Sequence, residues 1–268
     1  MLDDNEAEIC KQRKKMIILL TLLMLGFFIG TLGTLVGVGG GFILVPIFLL
    51  VFHYTPQQAI GTSLAVVFFN ALSGTVAYIR QKKVYYDAAI RFSLATLPGA
   101  VLGSYLSHYF NNQNFYISFG VLLIVIAGLL YFRSMSESEQ MCDFETFKYN
   151  RILGTLMSVL VGFLSSIFGI GGGIIHVPTM ICLLGFPTHT ATATSHFVLA
   201  VSSFFGVISH YFLGNILITP ALVIGFGSIL GAQLGAYLAL KTQAKFITIL
   251  LCIALLALGI RMIIGSNH

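Results

Sequence analysis

Long apolar segments alternate with short polar ones along almost the whole chain. Eight of them approach the roughly 20 residues that a helix needs to cross a bilayer. They cover residues 16–36, 56–79, 87–109, 115–132, 152–168, 187–212, 219–240 and 246–264. A shorter apolar piece follows the first segment of each half, at 42–53 and at 174–184. At about 1.5 Å per residue, each short piece reaches only about halfway across the membrane, so the pattern predicts two re-entrant half-helices.

The second half of the sequence repeats the first at an offset of 132 residues. The stretch GVGGGFILVP at 37–46 recurs as GIGGGIIHVP at 169–178. The same offset relates two GxxxG pairs, Gly99/Gly103 and Gly231/Gly235, which predict close helix packing. The repeat predicts an N-terminal tail, a first membrane repeat, a linker and a second membrane repeat. These parts cover residues 1–15, 16–132, 133–151 and 152–264.

The distribution of Lys and Arg decides between two topologies. If the short pieces are re-entrant, each half has four spans, the repeats are parallel, and 12 of the 14 basic residues share the side of the N-terminus. If the short pieces cross, the chain has ten segments with inverted repeats, and only 5 basic residues lie on that side. The positive-inside rule favours the first arrangement, with the tail, the linker and the C-terminus in the cytoplasm.

The composition places the chain in a membrane. It is 57% apolar and 9% charged, against about 25% charged residues in a soluble domain. The basic residues lie in short loops, so nothing predicts a nucleic-acid partner. The four cysteines show no CxxC spacing, which predicts neither a disulfide framework nor a metal site. The glycine runs lack the Lys of a Walker A loop, and no cofactor is expected.

The chemistry available in the apolar segments favours an anion. Of the nine acidic residues only Asp87 falls within a segment, and it lies at the end of one. A short helix that begins at a glycine break presents unpaired backbone N–H groups, and its dipole favours negative charge. Repeated hydroxyls and one amide could complete such a site. The candidate binding residues are Gly39, Gly40, Gly41, Thr62, Ser63, Asn70, Gly171, Gly172, Gly173, Thr194 and Ser195.

Each of these residue types also has a purely structural interpretation. The glycines could only permit tight helix packing. The Thr and Ser hydroxyls could bond the preceding turn of their own helix. Asn70 lies in the middle of a span, where lining a cavity and bridging two helices are equally compatible with the pattern.

Two histidines follow the second glycine run and the second Thr-Ser pair. Because no acid is buried, His176 and His196 are the candidates for proton coupling, since imidazole titrates near neutral pH. The alternative is a neutral imidazole that donates one hydrogen bond between helices.

Two GxGGG motifs, each followed by a Pro and then by a Thr-Ser pair in the next span, resemble the TauE/SafE family of sulfite and organosulfonate exporters, also called the 4-toluene sulfonate uptake permease family. The resemblance covers residues 17–264. It implies a multi-pass secondary transporter of the prokaryotic cytoplasmic membrane. Its cargo would be small sulfur-containing or related organic anions, moved with protons. His176 departs from the pattern, since an apolar residue is expected there.

Two other functional classes compete with a transporter. An anion channel could use the same half-helices around a pore. An intramembrane enzyme is disfavoured because Ser195 and His196 are adjacent and point about 100° apart on a helix. No catalytic residues are therefore assigned. The expected partners are a small anion and the lipid bilayer, with a homo-oligomer left open.

Overall fold

A computed structural model describes residues 2–107, 112–134, 149–242 and 244–265, and this part of the chain contains ten helices and no strand. The helices are α1 Leu2–Leu35, α2 Gly41–Leu50, α3 Pro56–Arg80, α4 Tyr86–Leu106, α5 Asn112–Ser134, α6 Arg151–Phe168, α7 Gly173–Cys182, α8 Thr188–Phe212, α9 Ile218–Lys241 and α10 Ala244–Gly265. The predicted all-α membrane architecture is confirmed.

Six helices are long and apolar enough to cross a membrane by length and composition. They are Lys11–Leu35 within α1, and α3, α4, α6, α8 and α9. Four shorter apolar helices accompany them, and they are α2, α7, Gln113–Gly128 within α5 and Cys252–Gly265 within α10. The two predicted half-helices, α2 and α7, have ten residues each, which corresponds to about 15 Å.

The first and third helices run in the same direction. The Asn70 side chain donates a hydrogen bond to the carbonyl oxygen of Gly30 at 3.0 Å, and the Tyr78 hydroxyl donates to that of Thr34 at 2.7 Å. Residue numbers increase together along the pair, so both helices begin at the same end of the bundle. We call this end A and the opposite end B. Since α3 begins at end A, α2 carries the chain from the glycine break back to end A.

The second half runs the opposite way. A Cβ on Gly74 of α3 would lie 2.6 Å from the His196 ring, and one on Gly206 of α8 would lie 3.3 Å from Leu64, so α3 and α8 are antiparallel. The halves are therefore related as inverted repeats with ten segments. This arrangement corresponds to the alternative prediction and not to the preferred parallel repeats, because α2 starts near the centre and continues to end A, whereas a re-entrant α2 would turn back to end B.

The inversion separates the tail from the linker. Tyr149, at the end of the linker, bonds to Asp87 at the start of α4, which lies at end B. α1 begins at end A and α10 ends there, since Gly265 packs against Leu50 at the end of α2. In a bilayer, the start of α1 and the start of α6 therefore lie on opposite sides.

Glycines let the two halves interlock. A Cβ on Gly231 of α9 would overlap the carbonyl oxygen of Phe27 on α1, and one on Gly99 of α4 would overlap that of Val159 on α6. The close packing predicted for the GxxxG pairs is confirmed. Because the first helix of each half packs along a helix of the other half, the two repeats share one helical bundle and one interior.

Candidate functional site

The two glycine breaks meet at the centre of the bundle. A Cβ on Gly41 would lie 2.9 Å from the carbonyl oxygen of Gly169, and one on Gly173 would lie 2.7 Å from that of Gly37. From this meeting point α2 runs to end A and α7 to end B. The N-termini of two short helices therefore converge, and both positive dipole ends point to the centre.

Left-handed backbone at six glycines makes this convergence possible. Their φ angles lie between 70° and 85°, which L side chains rarely adopt. The six are Gly37, Gly39, Gly40, Gly169, Gly171 and Gly172. Successive residues of this kind turn neighbouring N–H groups toward a common concavity that can hold an anion.

The first N–H groups of both short helices lack acceptors among the residues that the structure describes. At α2 these are the amides of Gly40, Gly41 and Phe42, and at α7 those of 171–174. The next amides are paired, as when the His176 amide donates to the carbonyl of Gly172 at 2.8 Å. Donors without acceptors in a buried place are the feature expected of an anion site.

A narrow cavity lies beside the start of α7. Five predicted residues line it, namely Gly171, Gly172, Gly173, His176 and Ser195. Two further hydroxyl residues, Thr96 and Ser202, also line it. The cavity admits no water molecule in this conformation, so an anion can enter only when the surrounding helices separate.

Sequence reasoning missed Thr96 and Ser202. The repeat carried a signal for Ser202, because it stands 132 residues after Asn70. Thr96 falls at no motif, and only the packing of α4 against the second break brings it to the cavity.

His176 is 3% exposed and paired on one side only. Its Nε2 lies 3.1 Å from Ser158 Oγ, and that hydroxyl donates its own proton to the Gly154 carbonyl at 2.7 Å. The imidazole must therefore donate from Nε2, which leaves a lone pair on Nδ1 in the neutral ring. Nδ1 has no partner in the described part of the chain.

An aromatic group covers His176 toward end B. The Phe92 ring lies 5.3 Å from the imidazole, and Tyr149 packs against Phe92 at 5.7 Å. The Tyr149 hydroxyl donates to Asp87 Oδ2 at 2.7 Å. Burial and this hydrogen bond raise the pKa of the Tyr149 phenol, so it remains a donor at neutral pH.

His196 belongs to a second polar group, which ties helices together. Its Nε2 lies 3.3 Å from Thr34 Oγ1, and that hydroxyl donates to Asn70 Oδ1 at 3.1 Å. The Tyr78 ring meets the imidazole edge-on at 5.5 Å. Thr34 and Tyr78 were not predicted from the sequence, because their partners lie 36 to 162 positions away.

Asn70 lies in this group and not in the cavity lining. Its amide nitrogen donates to the carbonyls of Gly30 and, at 3.3 Å, of Ser228. The side chain thus joins α1, α3 and α9, which corresponds to the bridging alternative. Ser63 is fully buried, and its hydroxyl has no partner among the described residues.

Thr62 and Thr194 hold helix starts of the opposite half. The Thr62 hydroxyl accepts a hydrogen bond from the amide of Leu217 at 3.1 Å, just before α9. The Thr194 hydroxyl accepts one from the amide of Tyr85 at 3.0 Å, just before α4. The structure does not bring either residue into the cavity lining.

Comparison with known families matches residues 22–262 to the model described as "Sulfite exporter TauE/SafE". The chain belongs to this family. The resemblance carried by the glycine motifs is thereby confirmed. The TauE/SafE chain is 36% identical to the probable membrane transporter protein YunE of Bacillus subtilis, over 90% of this chain and 96% of the relative. It is 30% identical to the probable membrane transporter protein MJ0441 of Methanocaldococcus jannaschii, over 93% and 97%. No solved structure matches. Family and relatives point to a membrane transporter and away from an enzyme.

Proposed function

We propose that the chain is a secondary transporter of small sulfur-containing or organic anions, of the sulfite, sulfonate and thiosulfate class, in a prokaryotic cytoplasmic membrane. The observation that carries the proposal is the meeting of two half-helix N-termini with unpaired N–H groups at the centre of an inverted repeat. Broken helices whose N-termini point at an anionic group near the midplane are a known device of transporters with this symmetry.

The electrostatics of the centre support an anion over a cation. Both helix dipoles present their positive ends to the centre. Asp87, the one acidic residue within a predicted apolar segment, lies at the start of α4 and forms an ion pair with Arg91 at 3.0 Å. No Lys or Arg is among the residues that line the cavity. Backbone donors can therefore bind an oxyanion without a fixed cation that would slow its release.

The closed centre supports transport by alternating access over conduction through an open pore. Val67 of α3 and Leu199 of α8 both pack against Gly39 and Gly171 and fill the meeting point. An anion channel remains the alternative function. Saturable uptake with counterflow distinguishes a transporter, whereas a high unitary conductance identifies a channel.

Proton coupling is part of the proposal, with His176 and His196 as the proton-carrying candidates. Both imidazoles are buried, and both have an Nδ1 without a partner in the described residues. Titration of one of them during the transport cycle would link flux to the pH gradient.

The inverted arrangement also changes the proposed orientation. Among the residues that the structure describes, five basic residues lie toward end A, in the tail and at Arg261, and eight lie toward end B. The positive-inside rule then supports end B, with the linker, as the cytoplasmic side. Both termini would face outward, in contrast to the cytoplasmic termini expected from the sequence.

The test is uptake of labelled sulfite, thiosulfate, sulfate and methanesulfonate into proteoliposomes, with and without an imposed pH gradient. We expect saturable uptake of at least one of these anions, a response to the gradient, and none of this uptake in protein-free liposomes. Absence of uptake of all four anions by protein that remains monodisperse would contradict the proposed function.

A further inference from the structure

We propose that the anion and its coupled proton bind together at the second glycine break. This α7 subsite comprises the backbone N–H groups of Gly172, Gly173 and Ile174 and the imidazole of His176. The inference rests on the proposed function and deepens it. It assigns one place to both ligands, and it predicts which charge crosses the membrane.

The hydrogen bonding of His176 leaves one ring nitrogen available for a proton. Ser158 fixes the ring with Nε2–H as the donor and leaves Nδ1 as an unpartnered, buried acceptor on a residue of the cavity lining. A lone pair beside unpaired amides would repel an anion oxygen. Protonation of Nδ1 converts it into a charged donor that adds to the amides.

Binding of the anion and binding of the proton are thermodynamically linked. If the anion binds better when His176 is protonated, then the proton binds better when the anion is present, by the same factor. The two ligands therefore load and leave together. Bound alone, either one leaves an uncompensated charge in a buried site, which is costly.

Within the described part of the chain, no other titratable side chain takes the role of His176. Its described neighbours are Ser158 and Phe92, and the remaining titratable residue in the middle of a helix packed against α7 is His196, which bonds to Thr34. The other titratable side chains of these helices lie toward the helix ends. Among the side chains that the structure describes, they are Tyr116, Tyr131, Arg151, Cys182, His189, His210 and Tyr211, together with Tyr86, Asp87, Arg91 and Tyr105 of α4, whose Phe92 contacts the imidazole.

The first glycine break has no side chain that can take up a proton in the way His176 does. Its residue equivalent to His176 is Leu44, and its residue equivalent to Ser158 is Gly26. Leu44 is fully buried, so the start of α2 offers backbone N–H groups and no group that takes up a proton. Proton loading is therefore confined to the α7 side of the centre.

The predicted substrate is a small oxyanion whose several oxygens can accept from the amides and from the ring at once. A monovalent anion together with one proton makes a neutral load. Methanesulfonate transport should then respond to a pH gradient and not to membrane potential. A divalent anion such as thiosulfate should carry one net negative charge and respond to both.

The experiment measures uptake of labelled methanesulfonate and thiosulfate into proteoliposomes, under an imposed pH gradient or an imposed potassium diffusion potential. A pH-sensitive dye inside the vesicles counts protons. Neither anion takes up a proton itself near neutral pH, so proton movement reports on the protein. We expect one proton per anion for the native chain.

Two variants separate proton binding from packing. His176→Leu copies the first-half residue and should lower the flux about 10-fold or more, since a hydrogen bond from a charged group is lost. His176→Gln keeps a polar side chain but cannot carry a proton, so its flux should be reduced, unresponsive to the pH gradient and free of proton movement. The control is His53→Gly, which removes an exposed histidine whose counterpart, Gly185, shares its left-handed backbone. It should behave as native.

The outcomes distinguish this inference from the proposed function. Proton-coupled flux that survives in His176→Gln, or native flux without proton movement, would overturn the shared subsite while leaving anion transport standing. Native protein that takes up neither probe also overturns the inference, and the panel with sulfite and sulfate then decides the proposed function separately. Size-exclusion profiles and thermal unfolding confirm that each variant is folded.

Discussion

The two glycine breaks have the same backbone and different side chains. Each has three glycines in left-handed conformation, a following helix of ten residues, and a reciprocal contact with the other break. Around this common frame, His176 stands where the first half has Leu44, and His196 stands where it has Leu64. Where the first half has the amide side chain of Asn70, the second half has the hydroxyl of Ser202.

The difference separates what the frame requires from what each half can change. A left-handed backbone and a contact under 3 Å admit only glycine, so the breaks had to stay alike in both halves. The side chains around them face no such limit. The second half holds the ionisable His176 at the start of α7, while the first half uses the Asn70 amide to join helices. The central site is thus symmetric in its backbone donors and asymmetric in its ionisable groups.

The largest expected effect breaks the common frame in either half. Gly41→Val and Gly173→Val should each abolish transport, because a Cβ at either position already lies within 3 Å of the backbone of the opposite break. Flux assays on monodisperse protein measure the loss. Gly128→Ala is the control, since its Cβ would meet nothing within 4 Å, and it should transport normally. Full transport by one Val variant and none by the other would refute the equivalence of the breaks.

A smaller effect is expected from giving the first half the ionisable group of the second. Leu44→His places an imidazole in the first half, where Gly26 replaces Ser158 and offers no hydroxyl as a partner. A side chain at Gly26 would overlap the Ile224 carbonyl. The buried ring should destabilise the fold by about 1–3 kcal/mol. Thermal unfolding in detergent measures this, with Leu44→Met as the apolar control. A Leu44→His variant as stable as native would mean that the first break can also accommodate a polar group.

Asn70 and Ser202 should differ in which property they control. Asn70→Ser leaves the carbonyls of Gly30 and Ser228 with fewer donors, which should cost about 1–2 kcal/mol of stability with little change in the KM for the anion. Ser202→Ala removes a hydroxyl of the cavity lining, with long bonds of 3.3 and 3.5 Å. It should raise KM and leave stability nearly unchanged. Thermal unfolding and concentration-dependent uptake measure the two quantities, and the reverse pattern would exchange the two assignments.

Much of the fold was predictable from the sequence because its signals are local. Apolar length predicted the positions of the long helices, and glycines followed by an apolar piece predicted the short helices α2 and α7. The roles of Thr62, Thr194 and Asn70 were not predictable, because their partners come from helices up to 158 positions away. His176 was identifiable as a candidate, whereas its one-sided pairing depends on Ser158, which falls in no motif.

The topology was mispredicted for a physical reason that also lies at the breaks. A short helix that turns back to the side it entered from has the same length as one that continues to the other side, so helix length does not distinguish the two. The basic residues in the tail and around 80–91 then favoured the parallel arrangement. Only the contacts of α3 with α1 and α8 determine the direction of α2. The position of a charged loop therefore tests the inversion that relates the two breaks.

The smallest effect on the protein, and the sharpest test of the inversion, is a pair of surface substitutions. Lys11→Cys and Lys83→Cys change exposed side chains, so both single-cysteine variants should transport as well as their cysteine-free parent. In the inverted arrangement Lys11 lies toward end A and Lys83 toward end B, and an impermeant thiol reagent should label only one of them in sealed vesicles of one orientation. If end B is cytoplasmic, the labelled variant in right-side-out vesicles is Lys11→Cys. Labelling of both from the same side would restore the parallel arrangement. It would also remove the geometry by which two helix N-termini approach one anion from opposite ends.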